Sequence, residues 1–423
     1  MIFSSKISRH KKILSNFSYL TALDVFLLIG PLITYPYLTR TLGLNLYGWV
    51  IAAQVTASYC TVLIDFGFKR ISARHIANSG NDLLKMSETV SSILILRLIL
   101  WIISFVIYIS VVLAIDSYRT HLILFIYSFL TTLSSVLFLD FYFQGTENMK
   151  YITIINIAVR SIFIIATFVV INEPSDYLYV PLLWGIGYIL GGAISMWVVF
   201  RKHGLKFHMP THKVLKMHMK EGSIIFFSDA MLTIKDKLNY NIMGAMIGMS
   251  DIVIYDIGSR ISGLLQKPSL IFCTVLFPRM AKKPSVSNAK KMMLLLLSLS
   301  VILCALINVV LPYIVKFFID EDIDLWAIRL FSLAPVILSV SGYISSNVFF
   351  AFGFDKYILK STYITTIGYV LVLGFMYLNG MLNSVASFVF LTVFAYFIEL
   401  IYRLILTNTI FKTYKQDNLA ENI

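Results

Sequence analysis

The sequence predicts an all-α integral membrane protein of twelve transmembrane helices in two six-helix lobes, and three observations carry that prediction. Of 423 residues, 58% are hydrophobic and 13% charged, and the mean hydropathy is +0.81; soluble domains carry about 25% charged residues. Apolar runs of membrane-spanning length recur from one end of the chain to the other, each about the 20 residues that a helix needs to cross the hydrocarbon core. Lys and Arg fall almost entirely in alternate loops between those runs.

The runs lie near 15–38, 46–66, 90–114, 121–143, 150–172, 178–200, 222–248, 252–278, 291–318, 326–352, 358–379 and 382–407. The first follows Lys6, Arg9, Lys11 and Lys12 but is too long for a signal peptide and has no small-residue cleavage site, so it is expected to remain as a helix. The longest polar connection, 201–221, divides the chain into an N-terminal lobe, 1–200, and a C-terminal lobe, 222–423. A short internal repeat supports two related halves: Phe141-Tyr142-Phe143-Gln144-Gly145-Thr146-Glu147 closes the fourth run, and Phe350-Ala351-Phe352-Gly353-Phe354-Asp355 the tenth. Related six-helix halves with a site at mid-membrane between them are a common transporter plan.

Cytoplasmic loops of membrane proteins are enriched in Lys and Arg. Twenty-five of these residues fall on the side that holds both termini and only Arg40, Arg119 and Lys316 on the other, which makes both termini cytoplasmic. The net charge of +13 is thus a topology signal, and nucleic-acid binding, which needs a basic patch on a soluble surface, drops out. Cys60, Cys273 and Cys304 sit in apolar runs as small hydrophobes.

The seven remaining cations lie inside the spans: Arg97, Arg160, Lys235, Lys237, Arg260, Lys267 and Arg329. Charge at membrane depth costs about 2.5 kcal/mol or more and normally faces a bundle interior or a wet cavity. With successive helical residues about 100° apart, Asp256, Arg260, Gly263 and Lys267 share one face, as do Thr153, Asn156, Arg160 and Thr167. Arg97, Ser104 and Tyr108 form a third stripe, and Asp24, Pro31 and Tyr35 a fourth. In the seventh span Asp229, Thr233, Asp236, Lys237 and Tyr240 lie together, while Lys235 and Asn239 point elsewhere, which assigns Lys237 to a cavity and Lys235 to an inter-helix pair or to snorkelling.

Arg97, Arg160, Lys237, Arg260 and Lys267 are therefore candidate lumen cations for an anionic substrate. The alternative is a structural network in which they pair with intramembrane acids, for example Asp256 with Arg260 at i, i+4. Asp24, Asp229, Asp236 and Asp256 are candidates for ion coupling or charge pairing; a buried carboxylate at Asp24, on the stripe with Pro31, could couple movement to protons or sodium. Asp65 and Asp140 lie near cytoplasmic ends, where capping or pairing with loop cations is expected, and Glu399 fits either role.

Pro31 and Pro36 interrupt the first span and Pro268 the eighth, where bends are expected. The small-residue pairs Gly187 and Gly191, and Gly244 and Gly248, read as helix contacts. His208 and His212 would stand on one helical face as metal ligands, but with no Cys or acid at a recognisable spacing a solvated basic loop is the better reading, and no metal is expected. No phosphate-binding loop, zincin pattern or nucleophile elbow occurs, and no loop is long enough for a catalytic domain, so the chain reads as a non-enzyme without cofactors.

Tyr37-Leu38-Thr39-Arg40-Thr41-Leu42-Gly43 followed by Tyr47-Gly48 resembles the end of the first helix in the polysaccharide transporters, and Asp65-Phe66-Gly67-Phe68 with Arg74 the end of the second. Phe143-Gln144-Gly145-Thr146-Glu147-Asn148-Met149-Lys150-Tyr151 resembles their fourth-to-fifth loop, and Phe277-Pro278-Arg279 the end of the eighth helix. Together these resemble the Wzx-type O-antigen flippases, in the superfamily that also holds the MATE exporters and the lipid II flippase MurJ. The resemblance implies a MATE-like fold with two lobes around a cationic lumen, working by alternating access in the bacterial inner membrane. It implies as cargo an oligosaccharide linked to undecaprenyl diphosphate, moved to the periplasmic leaflet, with membrane lipids as partners and a polysaccharide polymerase and chain-length regulator as candidate partners. The rival reading is an ion-coupled multidrug or small-molecule antiporter of the MATE type, with Asp24 as its coupling acid; a structural scaffold is a third.

Overall fold

The computed structural model describes residues 2–80, 82–282, 284–319, 323–354 and 356–420, and the side chains of 2–14, 17, 28, 275, 277–279, 281–282 and 415–420 are not described within these. The basic N-terminal cluster, the side chain of Arg279, Lys283, Asp320, Glu321, Asp322 and Asp355 thus lie outside the described residues. Within them the fold is helical with no strand. Nine described segments are long and apolar enough to cross a membrane, and the chain is a multi-pass membrane protein.

The helices are α1 (Ile2–Asp65), α2 (Phe68–Asn78), α3 (Leu83–Ala114), α4 (Asp116–Arg119), α5 (Leu122–Leu130), α6 (Leu133–Leu137), α7 (Asp140–Gly145) and α8 (Met149–Val170). There follow α9 (Tyr179–Trp197), α10 (His212–Met246), α11 (Met249–Lys282), α12 (Val286–Phe318), α13 (Trp326–Phe331), α14 (Ala334–Tyr343), α15 (Lys356–Leu378) and α16 (Val385–Ala420). Helix α10 is not among these nine segments, because Lys235, Asp236 and Lys237 occupy its middle.

The expected bends at proline are not where the chain breaks. Pro31 and Pro36 lie within α1, whose single non-helical residue is Gly43 at φ 75°, ψ 161°. That backbone state is open to glycine and strained for other residues, so the separation between the first two spans falls there. A second break follows Asp65, where Phe66 and Gly67 both take positive φ, 45° and 74°, and turn the chain into α2. Helix α2 is amphipathic, burying Phe68, Ile71 and Ile76 while Lys69, Arg70 and Arg74 stay exposed.

Clustering of contacts separates two compact units, residues 1–233 and 234–423. The dividing point lies inside α10, since residues 212–221 of the expected 201–221 loop are helical and only 203–211 are irregular. In the first unit the core is built from Phe68, Ile71, Val90, Ile93, Phe141 and Phe143 with their neighbours. In the second it is built from Tyr343, Ile344, Val348, Phe349, Leu296 and Ile410.

The two units repeat each other in detail. Tyr35 and Tyr47 meet edge to face at 5.0 Å and 86° across the Gly43 break, and Tyr240 and Tyr255 meet at 5.0 Å and 86° across the α10–α11 turn at Gly248. In both, the first tyrosine stands eight residues before the glycine. The sequence repeat also has a common geometry. Asn148 N–H donates to the Phe143 carbonyl at 2.8 Å and Phe354 N–H to the Phe349 carbonyl at 2.7 Å. The residue before each donor, Glu147 or Gly353, has positive φ, as in helix ends that close through a left-handed residue.

Gly187, Gly191 and Gly244 make the helix contacts expected of them, whereas Gly248 lies in the α10–α11 turn at φ 150°. A Cβ on Gly187 or Gly191 would stand 3.1 Å or 2.8 Å from Val159 on α8. Gly244 packs as closely on Ile252 and Met249.

Candidate functional site

The first unit encloses a cavity of about 480 Å³ between α1, α3, α6, α7, α8 and α9 and the first half of α10. Its polar lining includes Asp65, Lys69, Arg97, Asp140, Asn156 and Asp229. Arg97 is 2% exposed, and its stripe-mates Ser104 and Tyr108 are equally buried. Its Nη2 is paired with Asp65, its Nη1 donates to the Phe138 carbonyl at 3.4 Å, and its guanidinium lies 5.2 Å from the centroid of the Phe141 ring. Lys69 bridges to Asp140 at 2.7 Å, and Arg70 to Asp229 at 3.1 Å. Asp140 thus meets a loop cation, as its position near a helix end suggests, whereas Asp65 meets a cation from within a span. The cavity is a mixed-charge chamber in which the cations are already neutralised.

Arg160 lies deeper in α8. Its guanidinium sits 5.2 Å from the Trp184 ring, which stacks on Phe163 at 3.8 Å, and its Nε is buried with no hydrogen-bond partner among the described residues. No ion pair holds it among the described residues. Asp24 is exposed on α1; on a long helix only the stripe that meets a neighbour is covered, and Leu23, not Asp24, is on it.

In the second unit Lys237 places its ammonium 5.2 Å from the Tyr240 ring, Tyr240 donates to Asp256 at 3.1 Å, and Arg260 Nε donates to the other oxygen of Asp256 at 2.6 Å. One chain of contacts therefore joins three predicted residues across α10 and α11. Lys267 is half-buried and has no ion-pair partner among the described residues. Asp236 is largely exposed and 3.6 Å from Lys235.

A buried network in the second unit has no counterpart in the predicted site. Lys235 is 7% exposed and reaches Glu399 at 3.6 Å, and Glu399 pairs with Arg403 at 2.5 Å. Arg403, counted by sequence among the loop cations, is instead buried and donates to the Ser341 carbonyl, Ser341 Oγ and Ser361 Oγ at 2.9–3.1 Å. One turn from Lys235, Asn239 is fully buried, donating to Tyr255 and Thr392 and accepting from Tyr369. The i, i+4 spacings Lys235–Asn239 on α10 and Glu399–Arg403 on α16 were the available signal.

At the other end of α10, burial and the nearby His75 hold the His218 imidazole down to about 4, and a hydrogen bond from His75 lowers Glu221. His208 belongs to the irregular segment and His212 starts the helix, so they share no helical face.

Residues 13–284 match the family described as "Polysaccharide biosynthesis protein". The chain belongs to this polysaccharide biosynthesis family. Among its relatives, a candidate O-antigen transporter of Escherichia coli (strain K12) is 23% identical over 286 residues, covering 67% of this chain and 69% of that protein. Another, of Shigella dysenteriae, is 23% identical over 339 residues, covering 79% and 85%. The fold is similar to an inward-facing MATE-family multidrug resistance transporter, with a TM-score of 0.71 at 15% identity, covering 93% of this chain and 99% of that one. The lipid II flippase MurJ in an inward closed conformation is equally similar in fold, with a TM-score of 0.71 at 13% identity, covering 93% and 87%. This member of the polysaccharide biosynthesis family thus has the fold of the MATE and MurJ transporters, and the cavity described above sits in its first unit.

Proposed function

We propose that the protein is an O-antigen flippase of the bacterial inner membrane. It moves an oligosaccharide carried on undecaprenyl diphosphate from the cytoplasmic to the periplasmic leaflet by alternating access. Membership of the polysaccharide biosynthesis family supports the cargo class, and the observation that carries the reading is that charged residues persist at membrane depth although each is costly there. The structure supports dividing them by role. Arg97 and Arg260 are tied to carboxylates, whereas Arg160 and Lys267 have no ion pair among the described residues and Lys237 rests on a ring. Arg160, Lys237 and Lys267 are the charges available to a diphosphate or acidic sugar, Arg160 with a planar fork and the two lysines as point charges. Arg97 with Asp65 ties α3 to the end of α1, while Arg260 is engaged within α11 by Asp256, which also accepts from Tyr240 on α10. Release would follow a conformational change that alters how strongly these charges are exposed.

Complementation of a flippase-deficient strain carrying the matching glycan cluster tests this reading. The wild type should restore surface polysaccharide, and Arg160→Ala, Lys237→Ala and Lys267→Ala at equal membrane expression should accumulate lipid-linked units on the cytoplasmic side. Equal activity of all variants would remove the binding role from those three residues. Failure of the wild type with its own glycan would bring forward the ion-coupled antiporter.

A further inference from the structure

Three ligating groups meet where α2 packs on the start of α10, away from the cavity. His75 Nε2 and Glu221 Oε2 are 2.7 Å apart, the His75 and His218 rings lie 5.1 Å apart at 84°, and one donor atom from each of the three residues falls within 4.8 Å of the others. His218 and Glu221 stand at i, i+3 on α10 and so present one face. His218 is 1% exposed, and its Nδ1 is buried with no hydrogen-bond partner among the described residues. A buried imidazole nitrogen left without a partner is unusual, because such groups are nearly always satisfied.

The backbones behind the cluster are held in place. A Cβ on Gly222 would stand 2.4 Å from the Phe66 carbonyl oxygen, and one on Gly67 would stand 2.6 Å from Ile225 Cβ. Phe66 stacks on Phe226 at 4.5 Å. The α1–α2 turn is thus pressed against α10 directly beside Glu221.

We propose that His75, His218 and Glu221 form a binding site for a borderline divalent transition-metal ion of the zinc and copper class, with the fourth position left to water. Two imidazoles and one carboxylate are the donor set such ions take at about 2.0–2.2 Å, with the fourth position open. Calcium and magnesium call for more oxygen ligands than the cluster supplies. Among the described residues the competing Lys or Arg side chain is that of Arg74, 3.5 Å from Glu221 Oε2, and it is 66% exposed and free to move into solvent. Binding requires the His75–Glu221 hydrogen bond to open and His218 to close in by side-chain rotation, without a backbone shift. A bound ion would clamp α2 to α10 inside the first unit, and the site does not depend on the cargo.

The test uses the full chain, purified without a histidine tag, and copper(II) as the probe. Electron paramagnetic resonance of the wild type should show one bound equivalent coupled to two imidazole nitrogens. His75→Ala and His218→Ala should each remove one of the two nitrogen couplings, while the double variant His208→Ala/His212→Ala should leave the spectrum unchanged. Arg74→Ala should bind copper more tightly than the wild type. A wild-type spectrum without nitrogen coupling, or one that disappears in the His208/His212 variant instead, would overturn the proposal, and because the first observation is made on the unmutated chain, a misfolded variant cannot decide it.

Discussion

Asp65, the last residue of α1, closes the ion pair that lets Arg97 stay 2% exposed in the middle of the first unit. The next two residues, Phe66 and Gly67, turn the chain by taking positive φ, so the carboxylate is delivered by a helix end whose direction the backbone fixes. Removing one member of a buried pair strands the other charge. Asp65→Asn is expected to destabilise the chain by about 3 kcal/mol, the lower end of the range because Asp65 is 26% exposed. Asp65→Leu combined with Arg97→Met should cost less than either single change. Thermal unfolding in detergent compares the three, and additive losses in the double variant would contradict a paired role.

The contact between α10 and the α1–α2 turn leaves no room for a methyl group. Gly222→Ala would set its Cβ 2.4 Å from a backbone oxygen, which cannot rotate away, and overpacking of this kind costs about 1–3 kcal/mol. Gly263, also within a helix, has nothing within 4 Å of its would-be Cβ, so Gly263→Ala should be neutral or stabilising by up to about 1 kcal/mol through helix propensity. Yield of folded protein on size-exclusion chromatography separates them, and equal yields would mean that the turn shifts freely.

Acid should loosen the same contact. His218 is held down to about 4 from an ordinary 6.5, so between those values the unfolded segment binds a proton that the folded one does not. Stability from His218 is therefore full above pH 6.5 and lost as the pH falls through that window. Glu221, lowered from its ordinary 4.5 chiefly by the hydrogen bond from His75, contributes stability above 4.5 that fades below it. Arg74 and His75 are the other charged or titratable groups paired with Glu221 here. Hydrogen exchange of residues 68–78, corrected for intrinsic rate, should speed up below pH 6.5, and His218→Gln should flatten that dependence.

In the second unit Glu399 serves two cations, Lys235 and Arg403, both under 9% exposed. Glu399→Gln is expected to cost about 3–5 kcal/mol, whereas Asp236→Asn, at a side chain 47% exposed, should cost about 0–1 kcal/mol. Unfolding midpoints that rank the other way would mean that Lys235 depends on Asp236.

The face of α10 shows how far the sequence could be read. The wheel separated Lys237 from Lys235 and left Lys235 to a pair between helices or to snorkelling; it lies against α16, 3.6 Å from Glu399. By sequence Arg403 is counted with the cytoplasmic cations at the C-terminal end, but α16 continues to Ala420 and Ser341 and Ser361 close over the guanidinium. For the first span the wheel could identify a polar stripe with Asp24 on it and not which neighbour would cover it, and Asp24 is exposed.

By itself the sequence determined the membrane class and the helical fold and pointed to two related halves, because hydrocarbon admits long apolar helices and little else, and composition and spacing report that directly. Tertiary structure alone decided which charges are neutralised. Asp65 finds Arg97, Lys69 finds Asp140, and His75 finds His218 and Glu221 across sequence separations that no periodicity encodes. Those pairings follow from the left-handed turn at Phe66–Gly67 and the close approach of Gly67 to α10, and contacts set by packing between distant segments exist only once the chain has folded.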